Sequence, residues 1–328
     1  MDAPVLVEVT RGPAVESRHR GQIAVADPKG ALVKQVGDPE ALVCMRSLAK
    51  PFQALALLTT GAARAFGFGA AELALFSGSL SGQDFQADLV TQALARLGLN
   101  PEALQCGVHP PLHRPTAQAL TKAGAKPTAL RNTCAGKHTA MLALCVHHKW
   151  PTENYLAVDH PVQHLILGTV GRMAGLPRED IKVAIDGCGA PVFFMPLKNI
   201  ALAYARLAAA QPGSPGGDLL AAILDHPRHI AGDGRLDTDV MIALPGMVFA
   251  KSGAEGGYAL ALKEGGLGAA LKIEDGSSRA LNPTVVAVLD QLGVLTPAAK
   301  EALKAYAQPP ILNHRKEEVG RIKPAFSM

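Results

Sequence analysis

Residues 246–273 read GMVFAKSGAEGGYALALKEGGLGAALKI. Three short apolar runs, 246–251, 258–263 and 267–273, are divided by glycine-rich breaks at 252–257 and 264–266. Runs of that length between such breaks predict antiparallel strands joined by hairpin turns. The start of the chain has the same texture. Short β-branched runs at 5–10, 21–26 and 31–36 are punctuated by turn signals such as Asp27-Pro28-Lys29-Gly30. Between the two sets the period becomes helical. Leu89, Ala93, Leu94 and Leu97 repeat at three and four, as do Leu197, Ile200, Tyr204 and Leu207. Residues 138–150 are apolar nearly all round until their end, which predicts a buried helix. Strands at both ends with helices between them predict an α+β fold, one antiparallel sheet built from both chain ends and flanked by helices, with a helical insertion. The expected organisation is a single unit over 1–328, with the sheet from about 1–45 and 245–328 and a mainly helical region about 46–244. The Pro/Gly-rich stretch 211–217 reads as a surface loop, because helical patterns resume directly after it.

Composition narrows the function classes. The 328 residues are 48% hydrophobic and only 18% charged, which excludes a disordered chain. Thirty-two basic residues against 28 acidic ones leave a net charge of +4, mild and dispersed. With nine Phe, four Tyr and one Trp there is little for a base-stacking platform, so no nucleic-acid partner is expected. Cysteines at 44, 106, 134, 145 and 188 are odd in number and far apart, which points to reduced thiols rather than a disulfide framework. The N-terminal residues lack a basic start followed by a long apolar run, and no stretch approaches the ~18 apolar residues of a span. Neither a secretory signal nor a membrane contact is expected, and a cytoplasmic location is.

Ser47-Leu48-Ala49-Lys50 is an S-x-x-K motif. At helical spacing a residue and its third neighbour share a face, so hydroxyl and amine can touch. Serine is a weak nucleophile until a base takes its proton, and a neutral lysine serves as that base where burial or nearby positive charge lowers its pKa. Alone the motif is weak, and Ser47 as a helix cap with Lys50 on a solvated face is the plainer reading. Lys251-Ser252-Gly253 changes that balance. It ends a predicted strand, much like the K-T-G element of penicillin-recognising serine enzymes, and the serine-rich loop 76–82 lies between the two motifs, as in those enzymes. The alternative for Lys251 is an edge-strand lysine that discourages aggregation.

Two further segments place a cysteine beside glycine and charge: Asn132-Thr133-Cys134-Ala135-Gly136-Lys137-His138 and Asp186-Gly187-Cys188-Gly189. Two thiolates could supply soft ligands to Zn²⁺, although the spacing matches no zinc-finger pattern and two small buried thiols are the alternative. Cys44, Cys106 and Cys145 read as ordinary thiols. His147 and His148 fall at a helix end, and His160, His164, His226 and His229 near others, as surface or capping residues. His19 precedes a strand and could line a site.

Together, Arg46-Ser47-Leu48-Ala49-Lys50-Pro51, Cys134-Ala135-Gly136-Lys137-His138, Asp186-Gly187-Cys188 and Lys272-Ile273-Glu274-Asp275-Gly276 resemble the class 3, or rhizobial-type, L-asparaginases. The resemblance runs over nearly the whole chain, from Glu16-Ser17-Arg18-His19-Arg20-Gly21 to Val319-Gly320-Arg321-Ile322-Lys323-Pro324. It implies a fold similar to serine β-lactamases and serine-dependent glutaminases, and a cytoplasmic homodimer that hydrolyses L-asparagine to L-aspartate and ammonia. It implies Ser47 as nucleophile paired with Lys50, and Ser79 paired with Lys251 as a second Ser–Lys tandem. It implies a substrate-orienting zinc held by Cys134, Lys137 and Cys188, with Arg46, His138 and Asp186 lining the substrate pocket. One departure is Leu80, where the family commonly has histidine. A lysine base predicts activity on the alkaline side. The competing readings are a serine glutaminase or β-lactamase-like acyl hydrolase and, from another class, a zinc-dependent amino-acid-binding sensor without turnover.

Overall fold

Consecutive buried residues mark the central strands of this protein. In the computed structural model, which describes residues 3–328, Ile23, Ala24, Val25 and Ala26 are all buried, as are all six residues of Gly257–Leu262. A strand with one covered face alternates apolar and polar residues, so a continuous buried run means that both faces are covered. The strands, in chain order, are β1 (Val5–Arg11), β2 (Ala14–Ala26), β3 (Leu32–Val36), β4 (Leu42–Cys44), β5 (Lys182–Ile185) and β6 (Pro191–Pro196). They continue with β7 (Val248–Ser252), β8 (Gly257–Leu262), β9 (Leu267–Ile273), β10 (Pro310–Leu312) and β11 (Glu318–Pro324).

Eight of them form one sheet in the order β10-β11-β1-β2-β9-β8-β7, with β3 on β2, and every pairing is antiparallel. The two chain ends join at β2 and β9, in register from Gly21↔Ile273 to Ala26↔Gly268. The α+β sheet expected from the sequence is therefore the sheet observed. The helix Leu197–Ala208 packs on β2, β8 and β9, and the helix Ser278–Gln291 on β1, β8 and β11. Gly268 is required by the first of these contacts. A Cβ there would stand 2.0 Å from Ala201 O and 2.2 Å from Ala205 N, so any side chain would push the helix off the sheet.

The central region is not purely helical. A second, three-stranded sheet in the order β4-β6-β5 lies within it. Its strands are short, and all four residues of β5 are exposed, so they carry almost no periodic signal. Conversely, the C-terminal region contributes the helices Ser278–Gln291 and Pro297–Ala307 as well as strands. The predicted buried helix is Ala135–His148, and the 211–217 loop closes on Ser214, whose hydroxyl accepts the Gly217 N–H at 3.1 Å to cap the helix Pro215–Asp225. Among the described residues no helix is long and apolar enough to cross a membrane.

The small sheet matters because it fixes the turn that follows β4. Met45 N donates to Phe193 O of β6 at 2.8 Å, which holds residues 46–49 between β6 and the β7–β8 edge of the large sheet.

Candidate active site

The helix Ala70–Ser77 stops at Gly78, where the chain passes directly against residues 229–230. A Cβ at Gly78 would meet Ile230 O at 2.5 Å and His229 O at 2.7 Å. The Ser79 N–H then donates to Ile230 O at 2.6 Å and the Leu80 N–H to Thr133 O at 3.1 Å, so Ser79 is pinned from both sides. Its hydroxyl accepts from Lys251 Nζ at 2.7 Å and from Lys50 Nζ at 3.1 Å. Lys50 also donates to Thr133 O at 2.9 Å, and Lys251 to Ser252 O at 2.6 Å. Both lysines are fully buried, which removes the edge-strand reading of Lys251. Burial pushes the Lys251 amine down to about 7 against the opposing pull of the Asp237 charge, and burial likewise lowers Lys50.

Ser47 sits in a 3-10 turn, Arg46–Ala49, that runs into the helix Lys50–Thr59. Arg46 holds a left-handed φ of 45°, an uncommon conformation for a residue with a side chain. Ser47 is half-buried and lines a cavity of about 290 Å³ together with Arg46, His109, Cys134, Asp186 and Cys188. The expected contact between the Ser47 hydroxyl and the Lys50 amine does not form among the described residues. Lys50 donates its backbone N–H to Ser47 O, while its side chain enters the core and reaches Ser79 instead. The reason is geometric: Lys50 opens a helix whose residues 50–57 are all buried, whereas Ser47 stays in the turn at the cavity wall.

The two cysteine segments meet at that wall. Asn132 Oδ1 accepts the Cys134 N–H at 2.8 Å, holding the turn before the helix Ala135–His148. Cys134 Sγ, Cys188 Sγ and a carboxylate oxygen of Asp186 all lie within 4.8 Å of one another. Lys137 Nζ is 3.0 Å from Cys188 Sγ and 3.6 Å from Asp186 Oδ2, and Arg46 Nε is 2.6 Å from Asp186 Oδ1. The Cys188 hydrogen bond, with help from Lys50 and Lys137, holds Cys134 well below the usual thiol range. Burial works against charge on Lys137 and on Asp186. For Lys137 it is outweighed by Cys134, Cys188 and Asp186, which keep the ammonium; for Asp186 it is outweighed by Lys137 and Arg46, which keep the carboxylate. Two sulfurs and a carboxylate, with Lys137 as a further donor once its ammonium gives up a proton, form a set that suits zinc.

Of the ten residues singled out from the sequence, nine fall into these two adjoining clusters. His138 does not. It is fully buried, its Nδ1 bonded to the Tyr155 hydroxyl at 2.6 Å, and burial lowers its pKa well below the usual imidazole range. It does not line the 290 Å³ cavity, although it stands one helical turn after Cys134. The imidazole at the cavity belongs to His109, which the sequence reading passed over. His109 Nε2 accepts the Thr133 N–H at 3.0 Å, and its Nδ1 lies 2.7 Å from Pro110 O, a pairing that suits the neutral ring protonated at Nδ1. Its signal was faint, a lone histidine before two prolines in a segment with no strand or helix period. Leu80 is buried and presents no polar group. Cys106 and Cys145 are buried free thiols and Cys44 is half-buried. His19 pairs with Asp275 at 2.6 Å and does not line the cavity.

Residues 7–324 match the family described as L-asparaginase II. A comparison with curated proteins gives no match. Among solved structures, the chain is similar to Mglu in its native form, at 15% identity and a TM-score of 0.46, over 84% of this chain and 65% of that one. It is also similar to a beta-lactamase from Mycobacterium bovis, at 15% identity and a TM-score of 0.42, over 88% and 96% of the two chains. A probable glutaminase from Bacillus subtilis, complexed with 6-diazo-5-oxo-L-norleucine, matches at 13% identity and a TM-score of 0.37, over 84% of each. The chain thus spans less than two thirds of the length of Mglu.

Proposed function

The chain belongs to the L-asparaginase II family of amidohydrolases, and from that premise we propose that it hydrolyses L-asparagine to L-aspartate and ammonia through a serine ester. The observation that carries this reading is the pair of buried lysines donating to one buried serine hydroxyl, with Lys50 opening the helix that follows the turn presenting Ser47 to a cavity. Ser47 is the nucleophile because it lines open space, whereas Ser79 is sealed at 4% exposure. A lysine amine with its pKa near 7 is neutral in a useful fraction at neutral pH and can accept a proton.

The reaction requires the Ser47 hydroxyl to reach the relay, to which no hydrogen bond joins it among the described residues. Ser47 Oγ bonds to the side-chain carbonyl carbon, and its proton passes to the Lys50–Ser79–Lys251 relay. The C–N bond breaks, and the nitrogen leaves as ammonia with the proton the relay returns. Water then cleaves the ester, releasing L-aspartate and restoring the serine. Arg46 and Asp186 present a cation and an anion on the cavity wall, the complement of a zwitterionic amino acid. A zinc ion held by Cys134, Lys137 and Cys188, with Asp186 in reach, would supply a Lewis-acid contact that orients a charged group of the substrate. The homodimer and the cytoplasmic location belong to the same reading.

The test is ammonia release from L-asparagine and, in parallel, from L-glutamine. Wild type should release ammonia from asparagine, and Ser47→Ala should abolish release while melting at the wild-type temperature. Substantial turnover by Ser47→Ala would refute the nucleophile. Asparagine binding without any ammonia would favour the sensor reading.

A further inference from the structure

Asp237 is a buried acidic residue to which the proposed reaction gives no role. It is 1% exposed and sits in the first turn of the helix Leu236–Ala243, which packs on β7. It forms no ion pair among the described residues, and hydroxyl groups surround it instead. Its Oδ2 accepts from the Ser252 hydroxyl at 2.7 Å, and the Tyr258 hydroxyl, fully buried, lies beside the same carboxylate. Ser252 and Tyr258 are partners across the β7–β8 ladder, so both side chains reach it from one face. Withdrawing a carboxylate from water is costly, and hydroxyl donors with nearby positive charge offset that cost. Ser252 also joins Asp237 to the relay. Its carbonyl accepts from Lys251 Nζ at 2.6 Å, and that amine donates to Ser79 at 2.7 Å.

We propose that Asp237 is a positioning residue for the hydrolysis: through Ser252 it orients the Lys251 amine on Ser79, and its charge stabilises the ammonium that Lys251 becomes on taking the relay's proton. The proposal rests on the asparagine reading and deepens it. When the Ser47 O–H bond breaks, the proton is held as a new N–H bond on Lys251. When the substrate C–N bond breaks, that proton returns to the leaving nitrogen and Lys251 is again a neutral amine. Asp237 stays a carboxylate throughout, as the aspartate of a Ser-His-Asp triad does behind its histidine. Burial opposes the ammonium, as do the charges of Lys50 and Arg235; Asp237 leads the groups that favour it, ahead of Cys134. Other ionisable groups on the elements packed against β7 are engaged elsewhere. Arg46 is on Asp186, Asp239 holds the Tyr306 hydroxyl, burial keeps Tyr258 neutral, and Asp218 and Asp225 are exposed.

The test compares wild type, Asp237→Asn and Ser252→Ala by two measurements. The first is the pH profile of kcat and kcat/KM for ammonia release from asparagine. Asp237→Asn keeps an acceptor for the Ser252 hydroxyl but not the charge. Its midpoint should move toward acid by about one pH unit or more, with the plateau kcat lower by about tenfold or more. KM should stay within about twofold, because Asp237 does not line the Ser47 cavity. Ser252→Ala keeps the charge, so its kcat should fall while its midpoint stays within about 0.5 pH units of wild type. Should Asp237→Asn fail to fold, the smaller Asp237→Ser carries the same expectation. An unmoved midpoint, a change confined to KM, or an equal shift in Ser252→Ala would overturn the proposal. The second measurement needs no substrate. It follows the Lys251 Cε resonance by NMR in protein carrying isotope-labelled lysine, identified by its loss in Lys251→Met. Its midpoint should move in Asp237→Asn as the activity profile does. That shift in a protein releasing no ammonia would sink the asparagine reading and leave the Asp237–Lys251 coupling standing. Ammonia release without the shift would sink the role of Asp237 alone.

Discussion

Lys251 Nζ lies 2.7 Å from Ser79 Oγ in a pocket closed to solvent, on a strand that begins almost 170 residues after that serine. Lys50 shares the same oxygen. One hydroxyl can accept from both amines, but two adjacent ammonium groups in a dry pocket repel, so a proton is readily lost from the pair.

Activity should therefore rise with pH through about 7, by up to tenfold per unit below that point, and level off on the alkaline side. The profile of kcat/KM for ammonia release reads this directly. A maximum in mild acid would exclude a lysine base.

The same group makes stability depend on pH. The folded amine titrates near 7 and the unfolded one near 10.5, so the unfolded chain holds more protons between those values. Stability from this residue is fully present above pH 10.5 and is lost as pH falls toward 7. Denaturant midpoints of wild type and Lys251→Met across pH 7–10 should converge or cross as the wild-type penalty disappears. Parallel curves would contradict the depressed amine.

Replacing Ser79 with alanine strands two buried amines. The expected result is a loss of about 10²–10⁴ in kcat and of about 1–3 kcal/mol in stability. Ser47→Ala should abolish turnover without the loss of stability, since Ser47 lines the cavity and holds no buried amine. Equal melting temperatures for the two variants would place Ser79 outside the buried relay.

Gly78→Ala tests how the relay is held. The added methyl meets the carbonyls of Ile230 and His229 at 2.5 and 2.7 Å, and backbone on both sides must shift. A cost of about 1–3 kcal/mol is expected, along with lower activity as Ser79 moves off the lysines. An unfolding midpoint equal to wild type would mean that the contact relaxes freely.

Metal analysis separates the two readings of the cysteine cluster. Protein purified without chelator should carry about one zinc per chain, and Cys188→Ser should carry far less. Stripping the metal should raise KM more than it lowers kcat, because Ser47 supplies the nucleophile. A zinc-free wild type with full activity would leave Cys134 and Cys188 as buried thiols.

Much of this architecture is legible in the chain. Strand period and turn chemistry are local properties. The glycine-divided runs at 246–273 and the short runs near the start are the strands β7, β8, β9, β1 and β3 to within a few residues, and the run 21–26 is the second half of β2, which starts at Ala14. The small sheet β4, β5 and β6 escaped, since strands of three or four residues are too short to show a period and β6, largely buried on both faces, does not alternate. Residue types and spacings likewise singled out the Ser47–Lys50 motif, the serine-rich loop 76–82, the two cysteine segments and Lys251-Ser252-Gly253 as candidates, whereas Ser79, Lys137 and Asp186 were picked out by the resemblance to class 3 L-asparaginases.

What the tertiary structure alone decided was partnership. The S-x-x-K spacing pairs Ser47 with Lys50, yet Lys50 bonds to Ser79, because burial of its helix points the amine into the core. His109 shows the same dependence: it is carried to the cavity by a loop whose path no local pattern encodes, while His138, inside a helix buried all round, bonds to Tyr155. Contacts between distant segments depend on how whole layers pack, and only the folded chain holds that information.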